Sequence, residues 1–264
     1  MTLRLGFENG ALILSLMTTL WFVSVYKRDA SIVDPFWSIS FLLVTIHTAI
    51  RTGFTPAKGF LLVLVAVWAL RLFGYLLYRS LGAAEDPRYA AFRKHFGAHR
   101  YWWVSFFQVF LLQGMLAWLI SAPLQLAAAA PPRDPLAPLD AAVLGLFLLG
   151  FGFEAVADAQ LDRFRREPAN RGKVFDRGLF ALTRHPNYFG EAVLWWAFGL
   201  AAIDEPYGLL ALSGPVLKTF LLIRVSGVSM LDAHLKQTKP GYADYIQRTP
   251  ALFPRCPWSK RSDP

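Results

Sequence analysis

The stretch Arg184-His185-Pro186-Asn187-Tyr188-Phe189-Gly190-Glu191, followed by the apolar run 192–202, sets a guanidinium, an imidazole, an amide and a carboxylate at the mouth of a membrane helix. Asn187, Glu191 and Trp195 fall at i, i+4 and i+8 and share one helical face, with Arg184 one turn earlier on that face. Pro186 suits the first turn, where its missing N–H costs nothing. A carboxylate and an amide carried into lipid are expensive unless they meet a partner or a ligand, so this stripe is the first candidate site. Three other polar stripes enter apolar runs: Trp68, Arg71, Tyr75 and Tyr78; Glu154, Asp158, Asp162 and Arg165; and Asp34 with Pro35 and Trp37. Together four helices bring acids, amides and guanidiniums to one side of a bilayer. The simplest ligand is anionic at one end and at home in a half-lipidic cavity at the other. Lys218, inside the last apolar run, has no evident partner.

These side chains need a membrane scaffold to hold them. Hydrophobic residues make up 55% of the 264 and charged residues only 17%, below the quarter or so of a soluble domain. Apolar runs at 11–26, 35–50, 59–78, 103–129, 139–157, 188–203 and 207–226 are close to the ~20 residues a bilayer core requires, two of them short. The expected fold is all-α: one polytopic membrane domain over 1–264 with seven transmembrane helices. Twenty of the 27 Lys and Arg follow runs one, three, five and seven, placing the N-terminus outside and the C-terminus in the cytoplasm. Arg4, Arg51, Lys58 and Arg133 lie on the opposite side. The first run is preceded by Glu8 and lacks a small-x-small cleavage site, unlike a removed signal. Residues 128–140 read as a plain outer linker, whereas the basic connection 161–184 leads directly into the key helix.

Plainer roles compete for most of these residues. Asp34 can be a helix cap, the loop arginines topogenic, Tyr75 and Tyr78 interfacial, Trp195 packing, and Glu154 and Asp158 partners of the arginines after them. The pair Asn187/Glu191 resists such a reading. Net charge of +9 follows from topology and calls for no nucleic acid. Cys256 is the lone cysteine, so an internal disulfide is excluded and no metal-ligand companions accompany it. No G-x-G-x-x-G after a strand, H-E-x-x-H or G-x-S-x-G is present, which removes Rossmann, zincin and serine-hydrolase chemistry. Gly150 and Gly152 lie in an apolar helix and read as packing. A phosphate-bearing cofactor fits arginine forks at a helix N-terminus.

Gly178-Leu179-Phe180, Asn187-Tyr188-Phe189-Gly190-Glu191 and Trp195, behind a basic loop, resemble the C-terminal region of steroid 5α-reductases and their bacterial relatives. The resemblance is clearest over 150–254. It implies a seven-helix fold with NADPH on the cytoplasmic side, reducing the C=C bond of a steroid-like or isoprenoid enone that enters from the bilayer. Carried over by position, Asn187, Glu191 and Trp195 would contact the cofactor, as would Arg71, Arg79 and His185. Glu154, Asp158, Arg165 and Lys173 would surround its nucleotide part, with Tyr242, Tyr245 and Arg248 closing over it. Asp34 matches the family's substrate-side acid. Trp68 stands at its tyrosine and cannot give up a proton, so Tyr75, a protonated Asp34 or water is left as the donor.

The implied setting is the bacterial inner membrane, or the endoplasmic reticulum in a eukaryote. Expected partners are the enone and membrane lipids, with a monomer as the working unit. Arg184-His185-Pro186-x-Tyr188-x-Gly190 also resembles membrane isoprenylcysteine and phospholipid methyltransferases, which use S-adenosylmethionine. Those usually carry a Glu pair near the last helix, where residues 226–232 offer only Asp232. A third class, a non-catalytic lipid- or nucleotide-binding membrane protein, would keep the basic loop and tolerate loss of Asp34.

Overall fold

The computed structural model describes residues 2–133, 137–225 and 228–255. Within them the chain is 80% helix and has no strand. In chain order the α-helices are α1 (Leu3–Lys27), α2 (Val33–Arg51), α3 (Pro56–Ser80), α4 (Pro87–Phe96), α5 (Ala98–Ser105), α6 (Leu112–Ile120), α7 (Ala122–Ala128), α8 (Pro138–Arg166), α9 (Pro186–Leu200), α10 (Gly208–Ala211), α11 (Ser213–Phe220), α12 (Val228–Thr238) and α13 (Tyr242–Arg248). A π-helical turn, Phe106–Leu111, joins α5 to α6, and another, Leu221–Val225, follows α11.

Six stretches are long and apolar enough to cross a membrane: Leu3–Lys27, Ala30–Arg51, Pro56–Ser80, Ala98–Ile120, Pro138–Arg166 and Gly208–Thr238. The chain therefore has the make-up of an integral membrane protein. The remaining expected run, 188–203, corresponds to α9, which has 15 residues. At 1.5 Å per residue it reaches about 22 Å, short of a ~30 Å hydrocarbon core. Cys256 and the last basic residues, Lys260 and Arg261, lie outside the described residues, as do 134–136 of the 128–140 linker.

Local sequence explains where the helices begin. Thr55 caps α3 by accepting from the Lys58 N–H, with Pro56 at the first helical position. Asp86 does the same for α4 ahead of Pro87, accepting from the Arg88 N–H at 2.9 Å. Asp29 caps the 3-10 turn before α2, accepting from the Ser31 N–H at 2.9 Å. Asp34 is thus free of capping duty.

The contacts divide into two compact units, Met1–Ala137 with Ala201–Gly214, and Pro138–Leu200 with Pro215–Pro264. Unit 1 is built on α1, α2 and α3, which pack around Met17, Phe41, Val65 and Trp68, all fully buried. A largely buried polar seam ties its helices: Asn9 Nδ2 donates to Thr48 Oγ1 (2.9 Å) and Gln125 Oε1 (3.0 Å), and the half-buried His47 has Nδ1 2.7 Å from Asn9 Oδ1.

Unit 2 is dominated by the α8–α9 pair. Its helices cross where two glycines meet. A Cβ on Gly150 would stand 2.6 Å from the Gly190 carbonyl oxygen, and one on Gly190 would stand 2.5 Å from the Glu154 nitrogen. Small residues here are what allow such close backbone approach. Gly150 is therefore a packing residue, as expected; a Cβ on Gly152 would meet nothing within 4 Å.

Candidate functional site

In unit 2, the close crossing brings the acids of α8 to the polar stripe of α9. Glu154 and Asp158, one turn apart, are both buried. Asn187 Nδ2 donates to Asp158 Oδ1 at 3.3 Å. Glu191, one turn further along α9, meets Lys218 of α11: Nζ to Oε1 is 2.6 Å, and both side chains are largely enclosed. Lys218, which has no obvious partner in the sequence, is therefore one half of an enclosed ion pair. Only the fold reveals this, because the two residues are separated by a loop and a helix turn of another element. Trp195, the third member of the stripe, is fully buried with its ring edge-on to Phe198 (5.6 Å).

Arg184 corrects its sequence reading. It precedes Pro186, where α9 begins, and so does not extend the helical face. It turns to the tail instead. Its Nη2 lies 2.7 Å from Asp232 Oδ2, and its Nη1 donates to the carbonyls of Ile246 and Thr249. Asp232, which has no paired acid beside it in the sequence, is the hub of this cluster. His185 Nε2 lies 2.9 Å from its Oδ1, and the Tyr242 hydroxyl donates to the same oxygen at 2.6 Å. Burial and then the Asp232 carboxylate push the Tyr242 phenol far above its ordinary range, so it remains a donor. His185 also stacks on Tyr188, ring planes 8° apart.

The docked tail is secured along its length. The Tyr245 hydroxyl donates to the Phe180 carbonyl, Thr183 Oγ1 lies 3.0 Å from both the Ala251 and Leu252 carbonyl oxygens, and the Arg255 N–H donates to the Leu182 carbonyl. At the rim, Arg248 pairs with Asp176 at 2.6 Å, and Lys239 Nζ donates to the Lys173 carbonyl. Lys173 and Arg165 are exposed. Burial and the nearby Arg165 charge hold the Lys239 ammonium below its usual value. Tyr242, Tyr245 and Arg248 belong to a clasp built from α12, α13 and residues 249–255, in which Tyr245 reaches Phe180 and Arg248 reaches Asp176.

Unit 1 holds a second group. Asp34 Oδ2 takes a hydrogen bond from Arg88 Nη2 (2.8 Å), and its Oδ1 takes one from the Tyr89 hydroxyl (2.6 Å). Gln113 Nε2 donates to the Tyr89 oxygen at 3.0 Å. Burial first, then the Asp34 carboxylate, push the Tyr89 phenol far above its ordinary value. Tyr89 lies on α4, outside the apolar runs, and periodicity along a single helix gave no signal for it. Next to it, Arg93 forks onto Glu85 at 2.8 and 2.9 Å, and the Ala30 N–H donates to the same carboxylate. Burial opposes ionisation of Glu85, but these bonds outweigh it and hold its carboxyl below the ordinary range.

The other unit 1 candidates lie along α3. Trp68 is fully buried, its ring 5.9 Å from Phe41. Tyr75 lies between two cations of its own helix, with Arg71 and Arg79 at 5.3 and 5.4 Å from its ring centre. Such stacking contributes roughly 0.5–1 kcal/mol per exposed pair. Tyr78 is exposed, in keeping with an interfacial position. No group of three or more metal-ligating side chains occurs among the described residues.

Known proteins share this chain's pattern. It is 28% identical over 263 residues to an uncharacterized protein of Schizosaccharomyces pombe, covering 89% of this chain and 76% of that one. A shorter likeness, 39% over 56 residues, is to the Probable O-methyltransferase ustE of Ustilaginoidea virens and covers 21% of this chain and 19% of that protein. No solved structure matches. Residues 20–249, nearly all of both units, match the family described as Protein of unknown function (DUF1295). The chain belongs to that family, a membrane family related to steroid 5α-reductase-like and methyltransferase-like proteins.

Proposed function

We propose that the protein is a membrane NADPH-dependent reductase of a lipophilic enone, steroid-like or isoprenoid, with its site on the cytoplasmic side. The observation that carries this reading is the continuity in unit 2 between enclosed acids and an amide (Glu154, Asp158, Asn187, Glu191) and the basic loop behind them. A dinucleotide has both matching parts. Ribose hydroxyls and a carboxamide pair with carboxylates and an amide. Phosphates pair with Arg165, Lys173 and Arg248. The donor set therefore fits NADPH, which supplies hydride when bound. The clasp at Asp232 excludes water from that region.

In unit 1, Asp34, Arg88 and Gln113 hold a proton at Tyr89 Oη. That proton is donated to Asp34, so the group reads as a tie between α2 and α4.

S-adenosylmethionine-dependent methyl transfer is the second reading, favoured by the short likeness to the O-methyltransferase. A sulfonium cofactor has no phosphates, so it gives the basic loop no role. The deciding experiment is to denature the detergent-purified protein and identify released nucleotide by mass spectrometry, then titrate both cofactors. Saturable NADPH binding supports the reductase. Binding of S-adenosylmethionine alone would replace it.

A further inference from the structure

At the other end of α2 from Asp34, unit 1 has an open cavity of about 320 Å³ lined by Thr2, Arg4, Glu8, Arg51 and Thr52. That volume is at the lower end of the roughly 300–1,000 Å³ typical of small-ligand sites. The reductase reading gives it no role. Arg4 Nε and Arg51 Nη2 both donate to one oxygen, Glu8 Oε1, at 2.9 and 3.1 Å. Two guanidiniums carry ten N–H donors in all, far more than one carboxylate oxygen can use. Lys58, outside the lining, donates to Thr52 Oγ1 at 2.8 Å and interacts with the Glu205 carboxylate. The lining itself thus carries two cations around a single carboxylate.

Its surroundings are those of a lipid boundary. It sits where α1 begins and α2 ends, both of them membrane-spanning stretches. Leu3, Phe7 and Ile50, on the same turns, are 85%, 69% and 69% exposed. Apolar side chains so exposed on spanning helices face acyl chains. The polar floor is rigid, because His47 and Asn9 of the buried seam lie directly behind Glu8, with His47 Nε2 at 4.0 Å from Glu8 Oε2.

We infer that this cavity is a phospholipid headgroup site, selective for phosphoethanolamine. Arg4 and Arg51 take the phosphate, Glu8 takes the ammonium, and Leu3, Phe7 and Ile50 take the chains. The charge pattern, cationic with one central carboxylate, complements a zwitterion better than a purely anionic headgroup.

The test is thermal unfolding of the full chain in mild detergent, titrated with dioctanoyl phosphatidylethanolamine, dioctanoyl phosphatidylglycerol or inorganic phosphate. The expected result is saturable stabilisation by phosphatidylethanolamine, weaker stabilisation by phosphatidylglycerol and none by phosphate. Arg4→Ala/Arg51→Ala should weaken the first response by about tenfold or more, and Glu8→Gln should erase the preference between the two lipids. Equal responses to both lipids in the wild type, or an unchanged response in the double variant, would overturn the proposal. Stabilisation by phosphate alone would assign the cavity to a free anion instead and overturn it equally. If the double variant does not fold, Arg4→Ala alone serves, since its side chain is 82% exposed; undiminished affinity there is also fatal.

Discussion

Lys218 Nζ lies 2.6 Å from Glu191 Oε1, so α9 and α11 are joined by opposite charges inside an apolar surround. Removing one partner leaves the other charge buried and uncompensated, which typically costs ~3–5 kcal/mol. Lys218→Met should therefore lower the unfolding midpoint sharply, and Lys218→Met/Glu191→Leu should recover most of the loss. Thermal unfolding in detergent reads both. A double variant no better than the single one would mean the pair is not the source of the stability.

Asp232 accepts from Arg184, His185 and Tyr242 at once. Asp232→Ala strands three donors, at ~1–3 kcal/mol for each one left buried. The expected outcome is an undocked tail, seen as rapid proteolysis within residues 239–255 while α8 and α9 stay intact. Tyr242→Phe removes only one of the three bonds and should leave the tail mostly protected. Equal cleavage of wild type and Asp232→Ala would show that the clasp does not depend on this carboxylate.

Gly150 and Gly190 make a clean steric comparison with Gly152. An added methyl at either of the first two meets backbone at 2.5–2.6 Å, and at the third it meets open space. Gly150→Ala and Gly190→Ala should destabilise by ~1–3 kcal/mol or more, since backbone cannot yield as a side chain can. Gly152→Ala should be neutral or slightly stabilising, through helix propensity. The three unfolding midpoints suffice as the check.

Much of unit 2's polar stripe is legible in the sequence because it is local. Asn187, Glu191 and Trp195 are fixed by helical period alone, and Pro186 marks the helix start. Gly150 reads as packing and packs, whereas Gly152, read the same way, faces open space. What the sequence hides is pairing across distance. Nothing local tells Lys218 that Glu191 will face it, or tells Asp232 that three donors from two segments will converge on it. Arg184 is misplaced for the opposite reason: helical spacing was extended one turn past the proline that begins the helix. Seven runs give six spanning stretches because apolar composition reports burial as readily as membrane crossing, and α9 is mostly enclosed by protein.

Tyr89 ties α4 to α2 through its bond to Asp34. Tyr89→Phe leaves that carboxylate one donor short, at about 1–3 kcal/mol, and should lower the unfolding midpoint. An unchanged midpoint would show that this bond carries no stability.

The Glu85–Arg93 fork makes α4 acid-sensitive. Its folded-state value is below the ordinary 4.5, so the stabilisation is complete above 4.5 and is lost as pH falls through the lower folded value. Glu85→Gln should flatten that acid limb. The midpoint of unfolding between pH 6 and pH 3 should fall less steeply in the variant than in the wild type.

The clasp also sets an order of biogenesis. Asp232 and the segment through Arg255 are synthesised after α8 and α9, so while the ribosome is still translating them Arg184 and His185 wait without their shared acceptor. The acids and basic loop of unit 2 are therefore uncovered until late in translation. Docking of the tail becomes the last step of that unit's folding, and a chain that stops before residue 232 lacks the acceptor that Arg184 and His185 share.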